Sequence, residues 1–241
     1  MNAHPSPRGG HPIRGVIFDL HATLVHAGEP AGWMAAALAL LEQDPTLGGT
    51  FDPSESDASA LPDLADLAPW AEHIWDYARE VDPHSERDLS PELHRQVYDR
   101  MLERIGIIPP ALGDALYRTM LDQWAAYAEA PAVLLALRER GVATAILSNV
   151  GIDPRAVLER TGLAGLYDVE VFSFEEGVVK PDPAIFTLAA ERLGLPAHEL
   201  LMVGDTVDDD GAAARIGMRT LILPRTLGSH HGLEQVLRLV G

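Results

Sequence analysis

The chain has 241 residues, 47% of them hydrophobic, which is enough for one large domain or for a core domain carrying an insertion. Its 36 acidic against 18 basic residues give a formal net charge of −18, a field that repels nucleic-acid backbones and anionic membranes, and the absence of cysteine removes disulfides, thiolate metal sites and a cysteine nucleophile. The polar start MNAHPSPRGGHPIRG lacks the apolar segment of a secretion signal and no later stretch holds 18 uninterrupted apolar residues, so a cytoplasmic protein, monomeric or homodimeric, without nucleic-acid or membrane partners is expected.

The N-terminal dozen residues read as disordered. Val16 to Leu20 is then an apolar run broken by the carboxylate Asp19, as when a buried strand delivers a polar group to a sheet edge. Helical periodicity follows over 31–43, about 70–80, 91–106 and 111–129, with Trp33, Trp70, Trp75, Tyr98, Tyr117 and Trp124 among the apolar positions, where core packing is the expected role. Residues 44–69, rich in Asp, Ser, Pro and Gly, read as a long mobile loop within that helical stretch. Four more apolar runs, Val142 to Leu147, Val169 to Phe172, Leu200 to Val203 and Thr220 to Leu223, alternate with helical patterns, two of which open on Asp153-Pro154 and Asp182-Pro183. Continuous apolar strands alternating with helices predict a Rossmann-like parallel α/β sheet. The expected division is an α/β core of residues 1–28 and 131–241 with an all-helical cap of residues 29–130, hinged at Ala27 to Pro30 and Glu129 to Pro131.

Chemistry-bearing residues fall at the ends of successive strands, where open parallel sheets bind ligands. Asp19 closes the first, Ser148 and Asn149 the second, Lys180 follows the third, and Asp205 follows the fourth with Asp208, Asp209 and Asp210 close behind. Each alone is ordinary turn chemistry; a carboxylate, a hydroxyl, a lysine and an acidic cluster in that order point to one site. His230-His231 has no third ligand at a suitable spacing and reads as a surface pair.

On these motifs the chain resembles the haloacid dehalogenase-like hydrolase superfamily, with a helical cap inserted after the first motif. The resemblance implies a magnesium-dependent phosphatase acting on a small phosphorylated substrate. It implies that Asp19 is the nucleophile, that Ser148 with Asn149 and Lys180 contact the phosphoryl group, and that Lys180 neutralises charge. Asp19, the backbone carbonyl of His21, Asp205 and Asp210 are the residues it places around Mg²⁺. Asp209 also qualifies for the second acidic position of the last motif, but Asp210, followed by Gly211-Ala212-Ala213, fits better.

His21-Ala22 departs from the family, whose phosphatases usually carry a second aspartate and a glycine there. Histidine titrates near neutrality and can move protons, so His21 is either the acid/base or a contact residue, with the proton supplied by water, substrate or the cap. A 2-haloacid dehalogenase is the first alternative; Asp205 argues against it, because an acidic cluster repels a carboxylate substrate. The other is a degenerate member that binds a phosphorylated ligand or a protein partner.

Overall fold

The computed structural model of the protein describes residues 12–44, 47, 73–226 and 228–240. Five parallel strands form the main sheet: β1 (Gly15–Phe18), β4 (Ala143–Ser148), β5 (Val169–Phe172), β6 (Leu200–Gly204) and β7 (Arg219–Ile222), in the order β5-β4-β1-β6-β7. The order reverses at β1, the kind of position where a doubly wound sheet opens a ligand crevice. The strands run one or two residues short of the apolar runs at several ends, because Leu20 and Val142 lie beyond the paired register.

Alternate residues of each strand face opposite layers, so continuous apolar sequence is required. Val16, Phe18, Ile146 and Phe172 pack with Leu134 and Leu137 of the helix Ala130–Glu139. Ile17, Ala145, Leu147 and Val171 pack with Ile185, Phe186 and Ala189 of the helix Pro183–Leu193. The latter starts as its sequence indicates: Asp182 caps it by accepting from the Ala184 N–H at 2.8 Å, with Pro183 in the first turn. At the other Asp-Pro pair the helix Arg155–Arg160 begins one residue later, with Asp153 accepting from the Arg155 N–H at 3.0 Å.

Among the described residues four α-helices lie between β1 and β4: α1 (Pro30–Gln43), α2 (Ile74–Val81), α3 (Pro91–Ile105) and α4 (Pro110–Thr119). They enclose their own apolar cluster around Trp33, Tyr98, Met101, Leu112 and Leu116, and the Trp33 indole donates to the Leu116 carbonyl at 3.0 Å. The expected helix over 111–129 ends at Thr119. A 3₁₀ turn and the strand β3 (Ala125–Ala126) follow, pairing antiparallel with β2 (Val25–His26). That two-residue pair is too short to leave a period, and it brings the chain's exit from the insertion beside its entry. Trp124 accordingly packs with the sheet's cluster and not with the insertion's. Trp70, the first residues of the chain and nearly all of the expected 44–69 loop lie outside the described residues, as does the side chain of Trp75.

One end of the insertion is bolted to the C-terminal segment. Glu129 Oε1 accepts from the N–H groups of His231, at 2.6 Å, and Gly232, at 2.8 Å. His231, expected at the surface, is 4% exposed. Its ring stacks on Tyr127 and its two nitrogens lie 3.2 Å from the Thr23 carbonyl and 3.1 Å from that of Pro224. Among the described residues no helix is long and apolar enough to cross a membrane.

Candidate active site

The carboxyl ends of β1, β4 and β6 and the loop after β5 converge. Asp19 follows β1 with its N–H on the Val203 carbonyl at 2.8 Å, which ties it to the end of β6. Lys180 is 4% exposed and its Nζ lies 2.7 Å from Asp19 Oδ1 and 2.6 Å from Asp210 Oδ1. Asn149, expected among the phosphate contacts, lines the pocket and holds this lysine in place. Its Oδ1 accepts from the Lys180 N–H at 2.7 Å and its Nδ2 donates to the Lys180 carbonyl at 2.9 Å. Ser148 ends β4, buried and lining the same pocket.

Of the two acids competing for the last motif's second position, Asp210 is the one that organises the centre. Its Oδ2 accepts from the N–H groups of Asp205, at 3.1 Å, and Thr206, at 3.0 Å, while Oδ1 takes Lys180. Gly204 makes room for it, since a Cβ there would fall 2.1 Å from the Asp210 carboxyl. Asp209 lines the pocket without entering this network of bonds, and Asp208 is exposed.

Asp19, Asp205 and Asp210 offer carboxylate oxygens that all lie within 4.8 Å of one another. Burial pushes the Asp19 carboxyl up to about 7, with Asp210 and Asp205 adding to the rise and Lys180 opposing it. Burial also works to depress Lys180, yet the Asp19 and Asp210 carboxylates outweigh it and hold the ammonium above its ordinary range. Three carboxylates against the Lys180 ammonium and one guanidinium, that of Arg225 on Asp205, are still one cation short, and such a cluster of hard oxygen donors suits a small divalent cation.

A cavity of about 120 Å³ lies over this cluster. Its core wall is the network just described, and its other wall comes from the insertion: Arg79 of α2, Arg87 and Asp88 of the 3₁₀ turn Glu86–Leu89, and His94 of α3. Contact between the walls is close. A Cβ on Gly151 would sit 2.1 Å from the Arg87 carbonyl oxygen, and the buried Ser173 Oγ donates to the Asp88 carbonyl at 2.6 Å while accepting from the Val150 N–H at 2.9 Å.

His21 tilts against Trp124 with ring centroids 4.6 Å apart. Burial, with Arg225 and His26 nearby, pushes its imidazole down to about 3. Such a ring is neutral near pH 7 and has no imidazolium proton to give a leaving group, which weighs toward the contact role and against the acid role. Ala22 adopts φ 64°, the left-handed region that favours glycine.

Arg225 was missed by reading the sequence. Its Nε donates to Asp205 Oδ2, and its side chain is 48% exposed. The signal was present: the fifth apolar run ends just before it, so all five strand ends, and not four, deliver polar groups to the crevice.

Residues 13–217 match the haloacid dehalogenase-like hydrolase family. The chain belongs to that family. It is 33% identical over 192 residues to a phosphoserine phosphatase of Thermus thermophilus, an alignment covering 74% of this chain and 77% of the relative. An (S)-2-haloacid dehalogenase 4A of Burkholderia cepacia is 24% identical over 213 residues, covering 88% of this chain and 80% of the relative. The crystal structure of a phosphatase of the same family from Thermococcus onnurineus superposes with a TM-score of 0.61 at 20% identity, covering 95% of this chain and 98% of that one. The hydrolase family, the parallel sheet and its flanking helices therefore stand as read from the motifs.

Proposed function

We propose that this hydrolase is a Mg²⁺-dependent phosphatase of a small phosphorylated substrate, working through an aspartyl-phosphate on Asp19. The observation that carries the reading is Lys180 bonded at once to Asp19 and Asp210 beside Asp205. The Asp19 carboxylate would form a bond to phosphorus as the ester oxygen departs and takes its proton from water, and a second water then hydrolyses the acyl phosphate to inorganic phosphate and the free carboxylate, splitting one hard displacement into two. Lys180 would offset charge on the phosphoryl oxygens, and Ser148, which lines the pocket at the end of β4, would hold the group for in-line attack. Asp19 and Asp205, with the backbone carbonyl of His21, are the residues that would hold Mg²⁺, while Asp210 orients the loop and the lysine. Bound Mg²⁺ supplies charge neutralisation that lets a carboxylate approach a phosphate dianion. The helical insertion serves as the cap that keeps water out during transfer.

The dehalogenase relative does not reverse this ranking. A haloacid carries its own carboxylate into the pocket, and Asp205 beside Asp210 would repel it. A screen of phosphorylated metabolites with Mg²⁺ and with chelator tests the proposal. Hydrolysis is expected only with the metal, and Asp19→Asn is expected to abolish it while leaving the circular dichroism spectrum intact. Activity that survives chelator or this substitution would overturn it.

A further inference from the structure

A second, larger cavity adjoins the catalytic pocket, and the two share His21, Met120, Trp124 and Arg225 as lining residues. It encloses about 820 Å³, against about 120 Å³ over the nucleophile. The smaller space suits a phosphoryl group with its counter-charges and little else. The larger one falls in the roughly 300–1,000 Å³ range of sites that take drug-sized organic molecules. A substrate with its phosphoryl group at Asp19 must place the remainder somewhere, and the shared wall makes the larger cavity the continuous route.

The lining selects a chemistry. Trp33, Ile74, Met120 and Trp124 form apolar walls, and the aromatic ones are held rigid, Trp33 by its bond to the Leu116 carbonyl and Trp124 by the His21 ring. Among the described lining residues the fixed charges are Arg225, already bonded to Asp205, and Glu29, which is exposed. A second phosphate, or the ammonium and carboxylate of a compact amino-acid ester, would find one committed guanidinium, one exposed carboxylate and otherwise only neutral hydrogen-bonding groups such as Gln123, Tyr127 and Thr226. A flat apolar group gains both by area removed from water and by offset contact with aromatic faces.

We infer that the larger cavity is the leaving-group site and that it takes phosphomonoesters of bulky, uncharged, aromatic alcohols in preference to compact charged ones. The inference rests on the phosphatase reading of Asp19, and the following experiment separates the two. The full chain is assayed with Mg²⁺ on 1-naphthyl phosphate and on phosphoserine, alongside Ser229→Trp and Ala27→Trp, which place a bulky side chain on the cavity wall from two different loops. Folding of each variant is checked by circular dichroism.

The expected result is a kcat/KM at least tenfold higher for 1-naphthyl phosphate, a preference that collapses toward one in the tryptophan variants. A preference at or below one, or one that both variants retain, overturns the inference. If neither ester is hydrolysed, the metabolite screen decides the phosphatase reading, and calorimetric titration of 1-naphthyl phosphate into the Asp19→Asn chain decides the site by itself. Binding that weakens at least tenfold when a tryptophan is added on the cavity wall sustains it; binding indifferent to the added tryptophan, or no binding, overturns it.

Discussion

The two walls of the catalytic pocket hold their charges differently. On the core wall Asp19, Lys180 and Asp210 are almost wholly buried, share one ammonium, and are fixed to strand ends by backbone bonds. On the insertion wall each cation has a partner within the insertion: Arg79 pairs with Asp76 at 3.1 Å, and Arg87 with Asp82 at 3.1 Å and Asp88 at 3.6 Å. The core wall therefore leaves negative charge that only a ligand or a cation can balance, whereas the insertion wall is largely self-satisfied. Under the proposed function the unbalanced wall would bind the reacting group, and the balanced one could part from it without stranding buried ions.

The sharpest test of this contrast is Lys180→Met, which removes the shared cation from the dry side. It is expected to abolish turnover and to lower stability by about 3–5 kcal/mol, the usual scale for stranding a buried charge. Urea denaturation monitored with and without Mg²⁺ measures it, and a variant as stable and active as the parent would break the comparison.

At the joint between the walls, Ser173→Ala removes the hydroxyl that links the Asp88 carbonyl to the Val150 N–H. A loss of about 1–3 kcal/mol is expected, with faster hydrogen exchange at Val150 and in the Glu86–Leu89 turn than elsewhere in the sheet. Unchanged exchange at that turn would show that other contacts hold the walls together.

The insertion wall also predicts a pH response. Burial, with Arg87 nearby, pushes His94 down to about 4 from an ordinary 6.5, so between these values the unfolded chain binds more protons than the folded one. Stability contributed by His94 is thus present above pH 6.5 and lost as pH falls through the window to 4. Burial lifts Asp88 to about 6, which acts in the opposite sense, so the test is the difference between parent and His94→Gln melting curves: the variant is expected to lose less on acidification.

The smallest effect is expected at Ala22, beside the core wall. Ala22→Gly relieves a left-handed φ at the expense of a buried methyl group, and a gain of no more than about 1 kcal/mol in calorimetry is expected. A loss of more than that would mean that packing of the methyl outweighs the backbone strain.

Much of the core wall was legible from residue order. A parallel sheet shows itself in unbroken apolar runs such as VIF and AIL, and its geometry obliges whatever polar residue follows each run to lie at one edge. Asp19, Ser148 and Asp205 could be found in that way because each lies at or directly after a strand end, while Lys180 follows β5 only after the helical turn Ser173–Glu176. Asn149 was found at the right place, but its two bonds to the Lys180 backbone were not legible, since an amide suits a phosphate oxygen or a backbone group equally well by type and only the path of the Lys180 loop brings that partner to it.

The sequence by itself therefore determined the layered α/β core and the polar residues over its edge, since these depend on short-range periodicity and on strand ends, while the family came from the resemblance of the motifs at those ends. The tertiary structure alone decided that helix 111–129 breaks at Thr119 and that Trp124 turns back onto His21. It also buried His231 against Tyr127 and brought Arg225 to Asp205. The last three join segments between 20 and more than 100 residues apart through a handful of contacts. Contacts of that kind leave no period in the chain, because their energy comes from the three-dimensional closure of loops and not from the pattern of any one element.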